Sequence, residues 1–148
     1  MTTTDWTDTT DTEAANIVIA RRIFREGFGQ GNLSVCDELF AADVVEHQRG
    51  NPSGVDGVKA IITTLRGWFP DFRLDVEDIV AREDMVWCRS RAIGTNEGGF
   101  MGLPPNGGTI DITVYDSVRI RDGRVVEHWG VPDQLGAALQ LGLIPLPK

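Results

Sequence analysis

The chain has 148 residues and a formal net charge of −8, from 14 basic and 22 acidic side chains. That length holds one hydrophobic core, and 41% hydrophobic with 24% charged residues is the make-up of an ordinary globular domain. The acidic balance repels phosphate backbones, which argues against nucleic acid as the partner, and no run approaches the roughly 20 apolar residues that span a bilayer.

Residues 1–11 are almost all Thr and Asp with one Trp, too polar to offset their ordering entropy, and are expected to form a tail ahead of one domain over 12–148. They hold no basic region followed by an apolar run, so the expected location is the cytoplasm. Thr10-Asp11-Thr12-Glu13 fits the T-x-x-E capping box and predicts a helix carrying Ile17, Ala20, Phe24 and Phe28 on one stripe. Gly27, Gly29 and Gly31 end it. Asn32 opens a short second helix to about Phe40, followed by an extended piece at Val44-Val45-Glu46-His47 and a loop over residues 49–54. A third helix is expected from about Val55 to Trp68, with Val58, Ile61, Ile62, Leu65 and Trp68 inward and Pro70 as its stop.

From Phe72 the hydrophobic period changes from 3.6 to 2. Phe72-Leu74-Val76, Val86-Cys88-Ser90-Ala92, Ile110 to Ile120 at every second residue, and Val126-His128-Gly130 read as the inward faces of antiparallel strands. Arg121-Asp122-Gly123-Arg124 is the last hairpin, and Asp133 caps a final helix to about Leu141. Helices followed by such strands predict an α+β fold, a cone-shaped bent antiparallel sheet wrapped around three N-terminal helices.

A polar group on an apolar face is the informative exception. Asp116 stands among Ile112, Val114, Val118 and Ile120, and His128 shares a face with Val126 on the next strand. A three-residue connection with a Gly bulge would set Asp116 opposite Gly130 and Val118 opposite His128, leaving acid and imidazole roughly 7 Å apart or less at Cβ. A plain two-residue turn would separate them. Burial raises such a carboxyl's pKa while an imidazolium lowers it, and the pair suits general acid/base work; it is equally a satisfied polar pair in a core. His47, before a loop, either lines the mouth of a pocket or faces water. Phe24, Phe28 and Trp68 are core residues that can also wall an aromatic ligand, together with Val114 and Gly130 on the Asp116 face. Met101, in the apolar run Met101-Gly102-Leu103-Pro104-Pro105, belongs to a loop able to fold over the mouth. Trp87, Tyr115 and Trp129 fall on the outer sheet face among Arg89, Arg91 and Arg119, the make-up of a homodimer interface.

Cys36 and Cys88 lie in apolar surroundings and read as reduced core residues. Two histidines without HxxH or CxxC spacing predict no metal, and the absence of a P-loop or dinucleotide fingerprint predicts no nucleotide cofactor.

The run Gly99-Phe100-Met101-Gly102-Leu103-Pro104-Pro105-Asn106-Gly107, the segment Tyr115 to Trp129, and Pro132-Asp133 together resemble the SnoaL-like polyketide (ester) cyclases, over about Glu13 to Leu143. The resemblance implies the nuclear transport factor 2-like cone and a cofactor-free enzyme that closes a ring of an aromatic polyketide by intramolecular aldol chemistry. It implies that His128 is a pocket histidine, that Asp116 stands where a pocket polar residue, typically His, belongs, and that Phe28 borders the ligand. The cyclases' catalytic aspartate falls two residues after the histidine, where this chain has Gly130. Either Asp116 has become the base, with His128 its partner and His47 a further polar contact, or the reaction differs. Hydroxylase-like, isomerase or dehydratase chemistry and non-catalytic binding of a small hydrophobic ligand stay open.

Overall fold

A computed structural model describes residues 9–145. The expected tail therefore lies outside the described residues from 1 to 8, while Thr10 and Asp11 belong to the first helix. The capping box forms as expected: Glu13 N donates to Thr10 Oγ1 at 3.1 Å and Thr10 N to Glu13 Oε2 at 3.0 Å. Glu13 Oε1 also accepts from Glu83 N at 2.7 Å, tying the helix start to a turn of the sheet.

Helix α1 (Asp11–Arg22) does not continue as an α-helix to Phe28; Ile23–Phe28 is a π-helical turn, in which Gly29 N donates back five residues to Phe24 O. Ala20, Ile23, Phe24 and Gly27 are buried there, and Ile17 only half-buried. Helix α2 (Ser34–Leu39) runs into β1 (Phe40–Glu46), and α3 covers Val55–Trp68. Strands β2 (Arg73–Arg82), β3 (Met85–Thr95), β4 (Thr109–Arg121) and β5 (Arg124–Pro132) follow, then α4 (Gln134–Gln140), capped as expected by Asp133, whose Oδ1 accepts from Gly136 N.

The five strands form one sheet in the order β1-β5-β4-β3-β2. It is not wholly antiparallel: β1 runs parallel to β5. Tight turns force β2 against β3 and β4 against β5 in opposite directions, whereas helix α3 follows β1 before the next strand and leaves its direction free. Register shifts in β1, in β2 at Glu77 and in the β4–β5 pairing bend the sheet toward the helices. In β2 the shift keeps Val76 and Ile79 on the inner face, paired with Ser90 and Cys88, although they lie three positions apart. The core fills the resulting cone, with Phe24, Ile62, Phe69, Val86, Val118 and Val125 nearly inaccessible. Both cysteines are free and buried in it.

Candidate active site

Strands β4 and β5 set the site. Asp116 pairs with Gly130 and Val118 with His128, the register expected from the sequence, but by a different device. The turn is a two-residue one, Asp122-Gly123, with positive φ at both positions (50° and 74°), between paired Arg121 and Arg124. The parity is restored two residues later, where Arg119–Glu127 and Ile120–Val125 are consecutive pairs and Val126 is extra. Val125, not Val126, is therefore the fully buried residue, and beyond the bulge the inner face belongs to His128 and Gly130.

His128 Nε2 lies 2.9 Å from Asp116 Oδ1, and Nδ1 lies 2.9 Å from each oxygen of Glu46. The three side chains are 8%, 7% and 3% exposed. A neutral imidazole has one N–H, so a ring with a carboxylate at each nitrogen is held as the imidazolium, donating in both directions. Burial alone would discharge it; the hydrogen bonds to Asp116 and Glu46 outweigh that and raise its pKa to about 9. Asp116 Oδ2 has no hydrogen-bond partner among the described residues, and Asp116 faces the cone's hollow. Cys88, paired with Asp116 across the β3–β4 ladder, is no nucleophile: burial, then the charge of Asp116, pushes its thiol up to about 12.

The hollow measures about 400 Å³, within the range of small-molecule sites. Phe24, Phe28, Trp68, Val114 and Met101 line it as expected, with Asp116 and His128 at its polar end. The π-helical turn directs Phe24 and Phe28 together, centroids 6.3 Å apart, and Trp68 packs edge-on against Phe100 of the Met101 loop at 5.2 Å. Gly98 N donates to Trp68 O, docking that loop on the end of α3.

Two nominated residues are placed otherwise. His47 is on the opposite face of the sheet, its ring stacked on Trp129 at 4.6 Å and bonded to Glu127 Oε2 at 2.9 Å. Alternation along β1 turns Val44 and Glu46 inward and Val45 and His47 outward, so the expected pocket contact is Glu46 instead. Gly130 does not line the hollow either, because the Gln48 side chain covers it. Sequence reasoning missed Glu46 and Gln48; the signal was Glu46 sharing the parity of Val44, which is legible only once Val44 is known to face the core. Among the described residues no three His, Cys, Asp or Glu side chains gather as metal ligands, and both His128 nitrogens meet carboxylates. No helix among them is long and apolar enough to cross a membrane.

The sequence model described as SnoaL-like polyketide cyclase matches residues 18–141. The chain belongs to the SnoaL-like polyketide cyclase family. The aklanonic acid methyl ester cyclase DnrD of Streptomyces peucetius is 30% identical over 109 residues, covering 71% of this chain and 72% of that protein. Among solved structures, IdmH of Streptomyces antibioticus, described as a proposed polyketide cyclase, is 34% identical with a TM-score of 0.76, over 86% of this chain and 98% of that one. AclR of Streptomyces galilaeus, described as a proposed hydroxylase, is 27% identical with a TM-score of 0.79, over 90% and 99%. This member of the SnoaL-like family thus carries the family's α+β cone with a carboxylate–imidazolium–carboxylate chain at one end of its hollow.

Proposed function

We propose that the protein is a cyclase-type enzyme that removes a proton from a carbon acidified by neighbouring carbonyls in a flat, apolar, polyketide-like substrate. The observation that carries this reading is Asp116: buried, held through Oδ1 by His128, with no hydrogen-bond partner on Oδ2 among the described residues, and lining an apolar hollow. Asp116 Oδ2 takes the proton; the enolate carbon attacks a second carbonyl of the same molecule; the new alkoxide recovers the proton from Asp116. One C–C bond forms, nothing is oxidised, and the mass is unchanged. His128 keeps Asp116 oriented, and Glu46 keeps His128 charged and in place. Acid/base chemistry of this kind needs no added group.

Removing the base while keeping its shape tests this. Asp116→Asn is expected to fold normally by circular dichroism and to lose about 10²- to 10⁴-fold in turnover of an anthraquinone-type methyl ester. An Asn variant as active as the wild type would remove Asp116 from the chemistry and leave ligand binding as the cone's role.

A second reading, oxygenation of an electron-rich aromatic, is favoured by Gly130 in place of the cyclases' aspartate and by the likeness to AclR. Product mass separates the two, since a gain of one oxygen excludes ring closure. We also propose that two copies pair through the outer sheet face, where Trp87, Tyr115 and Val131 are 44%, 59% and 68% exposed, and that the enzyme works in the cytoplasm.

A further inference from the structure

Donor accounting at the site points to one more residue. A developing enolate or alkoxide needs a hydrogen-bond donor beside the base. His128 cannot supply it, because both its N–H groups are spent on Glu46 and Asp116, and the carboxylates only accept. Gln48 lines the hollow, and its carboxamide has no hydrogen-bond partner among the described residues. Its backbone is fixed at both ends: N donates to Glu46 Oε1 at 2.8 Å, and O accepts from Asn51 N at 3.2 Å. The side chain therefore starts from a rigid point on the same carboxylate that orients His128.

Gly130 leaves room for the amide on the side of the site where the base stands. A β-carbon at position 130 would overlap Gln48 Oε1 and stand 3.0 Å from both Asp116 Oδ1 and His128 Cε1. Three polar side chains thus converge over one glycine, and any larger residue there would expel the amide. Half a turn about its last bond exchanges the carboxamide's oxygen and NH₂, so Gln48 can face a ligand oxygen as a donor.

We infer that Gln48 donates its side-chain N–H to a carbonyl oxygen of the substrate, setting the acidic carbon against Asp116, and that Gly130 keeps the space for it. The inference rests on the hollow being the substrate site. It restricts the substrate to molecules with a carbonyl directly beside the reacting carbon.

Two matched probes test it on the full chain: methyl 2-naphthoate, which carries a carbonyl, and 2-propylnaphthalene, which does not. Titration followed by tryptophan fluorescence and by ¹⁵N spectra of the side-chain amides is expected to move the Gln48 NH₂ proton signals further downfield with the ester than with the hydrocarbon, whose ring current alone acts on them. Gln48→Ala should weaken the ester about tenfold and leave the hydrocarbon unchanged, the worth of one hydrogen bond to a buried oxygen. Gln48→Met, which keeps the length of the side chain without the donor or an added charge, should behave likewise and stands in if the Ala variant misfolds. Equal ester affinity in wild type and variants, or a parallel loss for both probes, overturns the role of Gln48. Failure of both probes to bind the wild type overturns instead the reading of the hollow as the substrate site, and this inference with it.

Discussion

His47 and His128 are joined by a backbone hydrogen bond, His47 N to His128 O at 2.9 Å, and each ring is bonded to carboxylate. They sit on opposite faces of the same sheet, and that alone separates their chemistry. His47, 37% exposed, stacks on Trp129 and shares Glu127 with Arg119 in a solvated network. His128, 8% exposed, has no water to fall back on, so the two carboxylates that flank it decide its charge. The outer face spends its charges on screened pairs such as Arg91–Asp111 and Arg89–Glu77; the inner face holds three ionisable groups in a row within a largely apolar lining. Identical functional groups end in a solvent-screened pair on one side and in a buried, charged chain on the other.

The contrast can be broken from either side. After the loss expected for Asp116→Asn, the next largest effect is expected from Glu46→Gln, which leaves a buried imidazolium with one anionic partner and should cost about 1–3 kcal/mol in urea denaturation. The same variant sharpens a pH argument. The folded His128 holds its proton to about pH 9, whereas an unfolded histidine releases it near 6.5. The stabilisation is therefore complete below about 6.5 and disappears as the pH rises through 9, so the wild type should lose stability across that window. In Glu46→Gln the His128 ring, followed by NMR, should release its proton at lower pH and the loss of stability should come earlier. A wild-type ring titrating near 6.5 would refute the flanked-imidazolium description. On the outer face, Trp87→Ser should weaken self-association about tenfold or more in sedimentation experiments if that face is the interface. The smallest effect is reserved for His47→Ala, expected to leave turnover within about twofold of wild type, as for most exposed charge pairs. A large loss of turnover there would mean that the two faces are not independent.

The inward-facing acid and imidazole are legible in the sequence. Asp116 announces itself as a carboxylate in an otherwise apolar alternating run, and Thr10 with Glu13, Pro70 and Asp133 mark their helix boundaries by local chemistry. The sequence also predicts the register that joins Asp116 to His128, but not its cause: a bulge at Val126, rather than a longer turn, sets it. The π-helical turn at Ile23–Phe28 leaves no separate signature in the hydrophobic pattern, because six residues are too few for one period to be told from another.

By itself, then, the amino-acid order determined the elements, the α+β class and the one acid that breaks the apolar pattern, since these follow from capping, periodicity and burial within a few neighbouring positions. Only the tertiary structure decided that Glu46 rather than His47 turns inward, that Gln48 lies over Gly130, and that His128 is clasped from both sides. Those outcomes depend on which edge β1 joins and in which direction it runs, and side-chain alternation along a strand of seven residues carries no information about either.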